Sequence, residues 1–429
     1  MTHSPFQNTG SGPCICHLAS TRFGGAGIAA SRLHDALRGC GVDSLFATED
    51  PRSPVTAGYV TLPPEHRSFV RRIMTRLRLT QSSRLLWEQK LNALDRRGVF
   101  VSGPAGRSDL PQLPVITHAD IVHLHWVAGL LPWESFFNEV TKPLVWTLHD
   151  MQPFKGIFHY TVDRDRTGAD AQRLNEQVRL RKVQLLRSLR PEHLTVVTPS
   201  RWLNRLSVQS EVLGRFRHQV IPYGLDTQIF RAWPAEVARG ILGLPASGRL
   251  LLVVAERLDD YRKGLDLAVD ALACSAVLPR WGIAAAGAGC MRFAGRDVFP
   301  VGSLNDPRLM ALLYSAVDLV LVPSREDNLP NVILESLCCG TPVVVTPSGG
   351  CPEAVFEPRD GLVCKSLTAD SLACALQAAG EIKFDRAAIS AAAHARYDQS
   401  VTAAAYRSLY NSLLVGSARL AEDSSKVLP

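Results

Sequence analysis

Apolar runs too short for helices recur along the chain and alternate with segments of helical spacing. This alternation restricts the fold more than any other feature. The first run is 13–19. A glycine-rich turn follows it, and then 27–38, where Ala29, Leu33 and Leu37 share one helical face. Residues 121–124, 144–148, 195–198, 250–255, 281–286, 319–322 and 342–346 repeat the run. A strand that is apolar throughout has to be covered on both faces, so the runs predict parallel sheets between layers of helices. The pattern restarts after the turn-rich Ile221-Pro222-Tyr223-Gly224-Leu225-Asp226. The expectation is an α/β chain of two doubly wound, Rossmann-like parallel-sheet domains of similar size facing a cleft. Residues 1–224 form the first domain and 225–396 the second. Residues 397–429 supply a helix returning to the first domain and then, beyond about Gly416, a frayed tail. In such folds ligands sit at the carboxyl ends of strands, which decides which loops matter.

Composition narrows the class. A chain of 429 residues is long enough for two or three domains at roughly 100–200 residues each. With 46% apolar and 20% charged residues it does not read as disordered. No run reaches the ~18 apolar residues of a spanning helix. Residues 1–12 lack the basic and apolar regions of a secretory signal. The expected location is cytoplasmic, with the inner membrane face kept open. The ten cysteines include no CxxC pair, and Cys14/Cys16 and Cys338/Cys339 are too close for a disulfide framework or zinc ribbon. They read as small buried hydrophobes in a reducing compartment. The net charge of +7 suits an anionic ligand or membrane surface. Nucleic acid is not expected, because the arginine cluster lacks interleaved stacking aromatics.

Four motifs could carry chemistry. Phe23-Gly24-Gly25-Ala26-Gly27 follows a strand and opens a helix. Glycines let backbone approach a ligand, and a helix start offers free N–H groups to a phosphate. A plain tight turn would look the same. Val145-Trp146-Thr147-Leu148-His149-Asp150 puts a histidine at a strand end. Imidazole there can donate to or accept from a hydroxyl, or merely cap the strand. His123 and His125 alternate onto one side of their strand. In Glu256-Arg257-Leu258-Asp259-Asp260-Tyr261-Arg262-Lys263-Gly264, Arg257 and Lys263 flank a loop after the first strand of the second half. Two fixed cations suit a departing diphosphate; a solvated charge run is the alternative. The longest motif runs from Pro323 through Ser324-Arg325-Glu326-Asp327-Asn328-Leu329-Pro330 to Glu335 and Pro342. Pro330 suits the first turn of a helix. Glu335 falls mid-helix among apolar residues, where a carboxylate needs hydrogen-bond donors. A ribose diol or protein groups could supply them.

Taken together, the GG loop after strand one, the TLHD segment, R-x5-K-G and the acidic-x7-E segment resemble glycosyltransferase family 4. The resemblance covers about 13–415 and is most specific in the C-terminal half. His123-Leu124-His125-Trp126, with 146–151 and Pro153-Phe154, is further similar to a bacterial exopolysaccharide subgroup that includes colanic-acid-type transferases. The resemblance implies a GT-B fold and retaining transfer from a nucleotide-diphosphate sugar, without a metal or other cofactor. The acceptor it implies is a glycan or a lipid-linked one. By position, Arg257 and Lys263 match the diphosphate-binding pair, Glu335 the ribose-binding glutamate and His149 the histidine that contacts the donor sugar. Gly24 and Gly25 match the loop near diphosphate and acceptor. Glu326, Asn328 and Leu329 are carried as donor-binding candidates, and Asp327 as a catalytic one.

Two departures stand out. The family usually has glutamate eight positions before Glu335. Here that position is Asp327, one methylene shorter, preceded by Glu326. Either residue could hold the sugar hydroxyls, or the site could be impaired. The subgroup often carries a cysteine-bearing insert after TLHD, but 157–170 has no cysteine, so no metal is expected there. Separately, 67–78 reads as an amphipathic helix. Phe69, Val70, Ile73, Met74 and Leu77 lie on one face, and Arg67, Arg71, Arg72, Arg76 and Arg78 on the other. That pattern fits either a peripheral membrane contact or a helix packed on its domain. A GT-B nucleotide-sugar epimerase and a non-catalytic nucleotide-sugar-binding protein are the competing readings.

Overall fold

The structure, a computed structural model, describes residues 12–52, 56–65, 83–273 and 278–425, with side chains as far as Gly416. The basic segment 67–78 lies outside the described residues.

Thirteen strands among the described residues form two sheets in which every pairing is parallel. The first holds β1 (Cys14–Leu18), β2 (Asp43–Thr48), β3 (Tyr59–Thr61), β4 (Ile121–Leu124), β5 (Leu144–Thr147), β6 (Leu194–Thr198) and β7 (Arg217–Val220), in the order β3-β2-β1-β4-β5-β6-β7. The second holds β8 (Leu250–Arg257), β9 (Gly282–Ala288), β10 (Val298–Gly302), β11 (Leu319–Val322), β12 (Val343–Val345) and β13 (Gly361–Val363), in the order β10-β9-β8-β11-β12-β13. In each sheet the chain winds outward to one edge, returns, and winds to the other. The switch points lie between β1 and β4 and between β8 and β11, where doubly wound sheets open to ligands.

The continuous apolar runs are explained by packing on both faces. In β8, Leu250 and Leu252 join one core cluster, while Leu251 and Val253 join another on the opposite face. Val320 and Leu321 divide in the same way, as do Val343 and Val344. In the first sheet Ile15, Ile121, Val145 and Val197 form one layer with Leu33 and Leu37 of the helix Gly24–Gly39.

The chain forms two compact units. Of the described residues, one comprises those up to Pro199, Leu203–Ile221 and those from Thr402; the other comprises Ser200–Trp202 and those between Pro222 and Val401. The helix Gln399–Ser425 delivers Ala403, Tyr406, Leu409 and Tyr410 into the core of the first unit. It continues to Ser425, past the point near Gly416 where the sequence suggested fraying. Among the described residues no helix is long and apolar enough to cross a membrane.

Candidate functional site

In the second unit, three loops at the carboxyl ends of β8, β11 and β12 interlock. Gly264 has φ +65°, and a Cβ there would collide with the carbonyl oxygen of Pro323. Gly349 also has φ +65°, and its Cβ would strike the carbonyl oxygen of Asp327. Both positions need glycine on two counts: backbone conformation and close approach. Arg325 N–H donates to the Arg262 carbonyl at 2.8 Å, and Gly350 N–H to the Asp327 carbonyl at 3.0 Å. The Arg325 guanidinium reaches back to both carboxylate oxygens of Asp266 and lies 4.0 Å from the Tyr261 ring centre.

This frame puts Asp327 between two cations. Its Oδ2 accepts from Lys263 Nζ at 2.6 Å and lies 3.0 Å from Arg262 Nη1. Its Oδ1 accepts the N–H of Asn328 at 3.0 Å. Burial pushes the Asp327 carboxyl upward, but the adjacent Lys263 and Arg262 charges outweigh it and hold the group well below the usual carboxylate range. The structure thus brings together Lys263 and Asp327, which the sequence assigned to different parts of a donor. It also adds Arg262, which the R-x5-K spacing did not single out. Arg262 stands beside Lys263 in the sequence, but its pairing with Asp327, 65 positions on, is not encoded in any local pattern.

The other candidates are placed differently. Arg257 ends β8 on the surface and pairs with Asp259 at 2.7 Å. Glu326 is partly exposed, and its carbonyl accepts from Arg262 at 3.2 Å. Asn328 is buried, its side-chain oxygen accepting from Ser200 Oγ at 2.6 Å. Leu329 belongs to the core. Pro330 stands just before the helix Asn331–Cys338 rather than in its first turn. Glu335 is buried within that helix and accepts from the Tyr314 hydroxyl at 2.8 Å. A protein donor therefore meets part of the hydrogen-bonding need that the sequence left open.

The first unit carries the remaining candidates. Gly24 and Gly25 are the first two residues of the helix Gly24–Gly39, which starts three residues earlier than the apolar spacing predicts. Gly27 allows the chain at Thr21 and Arg22 to fold against that helix start. A groove of about 510 Å³ opens there, lined by Ser20, Thr21, Asp50, Arg52, Arg84 and Gly129 among others. His149 follows β5 and is buried; burial lowers its imidazole to about 4. Its neighbour Asp150 accepts from Trp126 Nε1 at 2.9 Å, from Gln152 N–H at 2.9 Å and from His159 Nδ1 at 2.6 Å. Burial opposes ionisation of Asp150, but His159 and these donors keep its carboxyl low.

The segment after Asp150 is anchored by two polar side chains that the sequence analysis passed over. Asn175 Oδ1 accepts the backbone N–H groups of Gly156, Ile157 and Phe158 at 2.8–3.2 Å. Lys182, fully buried, donates to the carbonyls of Gln152, Lys155 and Gly156 at 2.5–3.0 Å and lies 4.6 Å from the Trp133 ring centre. Both come from the helix Ala169–Leu186. Their signal was only an Asn and a Lys on a largely polar helix.

The loops that hold Lys263 and Asp327 fall inside a recognisable segment. Residues 249–380 match the family model described as "Glycosyl transferases group 1". Among curated relatives, a D-inositol 3-phosphate glycosyltransferase of Arthrobacter sp. is 27% identical over 314 residues, covering 65% of this chain and 70% of the relative. The protein of the same name from Mycobacterium tuberculosis is 30% identical over 273 residues, covering 57% and 49%. That from Segniliparus rotundus is 27% identical over 268 residues, covering 57% and 55%. The chain thus spans about half the length of two of these relatives. Among solved structures, the sucrose-phosphate synthase of Thermosynechococcus elongatus aligns with a TM-score of 0.64 at 19% identity, covering 94% of this chain and 100% of that one. Anabaena HepE in complex with UDP and glucose aligns at 0.60 and 17%, covering 93% and 100%. The two all-parallel, doubly wound sheets of this chain align with those structures over more than nine-tenths of its length, and the expected GT-B fold class is met.

Proposed function

We propose that the protein is a retaining glycosyltransferase of family 4 type. It moves a sugar from a nucleotide-diphosphate donor to a glycan or lipid-linked acceptor, in bacterial polysaccharide synthesis. The observation that carries this reading is the Lys263–Asp327–Arg262 cluster at the β8/β11 switch point, inside the segment that matches the group 1 glycosyltransferases. A diphosphate would compete with Asp327 for Lys263 and with Asp259 for Arg257. The ion pairs thereby hold both cations ready without leaving them uncompensated.

In the proposed reaction the bond between the anomeric carbon and the diphosphate oxygen breaks while the acceptor oxygen bonds the same face of that carbon. The acceptor proton passes to the departing phosphate. Lys263 and Arg257 neutralise the charge that develops there. Asp327 holds sugar hydroxyls, Glu335 holds the ribose, and Asn328, Leu329 and Glu326 shape the donor loop. His149, Gly24 and Gly25, in the first unit, are proposed for the sugar and for the diphosphate and acceptor. No metal or other cofactor is part of the proposal.

UDP-glucose is the first donor to test, because HepE is described in complex with UDP and glucose. Inositol phosphate is the first soluble acceptor, because the curated relatives carry that acceptor in their names. Incubation of the full chain with donors and acceptors should give acceptor-dependent nucleotide release and a product that keeps the donor's anomeric configuration by NMR. Turnover of the nucleotide sugar with no acceptor would favour the epimerase reading. Tight binding without any turnover would favour the non-catalytic one.

A further inference from the structure

Three side chains of the first unit serve no step proposed for sugar transfer, yet they are joined as a nucleophile, a base and an orienting acid would be. His159 Nδ1 lies 2.6 Å from Asp150 Oδ2, and His159 Nε2 lies 2.8 Å from Ser102 Oγ. All three are buried. Asp150 comes three residues after β5, at the carboxyl edge of the sheet, where the loops of a doubly wound fold carry ligands.

The protons along this line can be assigned. Burial opposes ionisation of the Asp150 carboxyl, but His159 and the other donors hold it low, so it only accepts. The proton between Asp150 and His159 therefore sits on Nδ1. In the neutral imidazole Nε2 is then a bare acceptor, and the Ser102 hydroxyl donates to it. That order prepares a serine oxygen for attack: the base faces the nucleophile, and the acid fixes the tautomer and orientation of the base.

The line is held from several sides. Asp150 Oδ2 also accepts from Trp126 Nε1, and Oδ1 accepts the N–H of Gln152. Ser102 N–H donates to the Ile157 carbonyl at 3.0 Å, beside an antiparallel bridge between Val101 and Phe158. Ser102 is thereby tied to the segment that carries His159, the same segment that Asn175 and Lys182 anchor. Gly103 follows Ser102, and its N–H meets no acceptor among the described residues. The amide after a nucleophile is a common donor to the oxyanion that forms at an attacked carbonyl. On the outer side Phe100 is 60% exposed, and its ring centre lies 5.0 Å from that of His159 and 5.9 Å from that of Trp126. An approach past this ring is apolar.

We infer that Ser102, His159 and Asp150 form an ester-hydrolysing centre in the first unit, for carboxylic esters with an apolar acyl group. Ser102 Oγ bonds the acyl carbon while its proton passes to His159 Nε2. The bond from that carbon to the alcohol oxygen then breaks, and the alcohol leaves with the proton. Water repeats the sequence on the acyl-serine and releases the carboxylic acid and the free serine. Asp150 is a positioning residue that acts through His159. Neither step involves the proposed sugar donor.

The test treats the full chain with a fluorophosphonate, which traps activated serines by losing fluoride to the serine oxygen, and locates the adduct by peptide mass spectrometry. The expected results are an adduct on Ser102 and hydrolysis of p-nitrophenyl butyrate above the buffer rate. Both should fall at least about hundredfold in Ser102→Ala and in His159→Gln, each checked for folding by its melting curve. The histidine ¹⁵N spectrum of the native chain, with His159 assigned from the signal lost in His159→Gln, should place its proton on Nδ1. An unlabelled Ser102 in the folded native chain would overturn the inference. So would labelling of Ser102 without ester turnover, rates undiminished in a folded variant, or a His159 proton on Nε2. Should Ser102→Ala not fold, His159→Gln and the position of the adduct decide.

Discussion

Lys263 carries the charge that both the resting protein and the proposed reaction use. Replacing it by alanine should lower turnover by ~10²–10³ while the fold persists, because Arg262 still compensates Asp327. Single-turnover kinetics would check this, and an unchanged rate would remove Lys263 from the reaction. The structure separates the two adjacent acids more sharply than the sequence did. Asp327 is buried between cations and Glu326 is partly exposed. Asp327→Asn should therefore cost on the order of 10² in rate and Glu326→Gln under about threefold, judged against other losses of a charge-orienting group. The histidines make a pH prediction. Burial lowers His17 to about 3 and His149 to about 4. Below ~6.5 the unfolded chain takes up protons that the folded one refuses, so stability is complete above ~6.5 and falls as pH drops toward 4. Each such imidazole contributes a slope of about 1.4 kcal/mol per pH unit. Urea unfolding at pH 7.5 and 5 should show this loss, and His17→Phe should reduce it.

At the scale of elements, loops rather than strands position the chemistry. Gly349→Ala combines a positive φ with a collision against the Asp327 carbonyl. It should displace the acidic loop, cost about 1–3 kcal/mol and weaken nucleotide binding. Equal nucleotide affinity in a folded Gly349→Ala sample would contradict that placement. Lys182→Met leaves three carbonyls without their donor, for about 1–3 kcal/mol of stability, with the loss concentrated in 151–160 by hydrogen exchange. The strands differ in how legible they were. The interior runs, β4 and β11 for instance, were placed to the residue, because burial on both faces demands unbroken apolar sequence. β3, β7, β10 and β13 were missed, and all four are sheet edges. With a neighbour on one side only, sequences such as Arg217-His218-Gln219-Val220 remain compatible with pairing. β2 was missed for a different reason: Asp43 and Ser44 open it and interrupt its apolar signal. The site shows the same division. Motif spacing marked Lys263, Asp327 and Glu335, whereas Tyr314, Asn175 and Lys182 act through contacts that no local pattern encodes.

At the scale of the whole molecule, the fold is two parallel-sheet units, and the chain re-enters the first through Thr402 and the residues after it. Tyr406 and Tyr410 are fully buried there, and their hydroxyls bond Thr147 and His123 at 2.7 Å. Tyr410→Ala should cost about 3–5 kcal/mol, the range for emptying a buried aromatic site, and should lower the first unit's melting transition selectively. The account as a whole depends on the second unit's being a nucleotide-diphosphate site built on Lys263 and Glu335. Titration calorimetry with UDP, GDP and ADP tests this most directly, comparing the native chain with Lys263→Ala and Glu335→Gln, the latter keeping an acceptor for Tyr314. The account predicts saturable binding of one nucleotide, weakened at least tenfold (about 1.4 kcal/mol) in both variants. No binding of any of the three to folded protein, or binding indifferent to both substitutions, would contradict it.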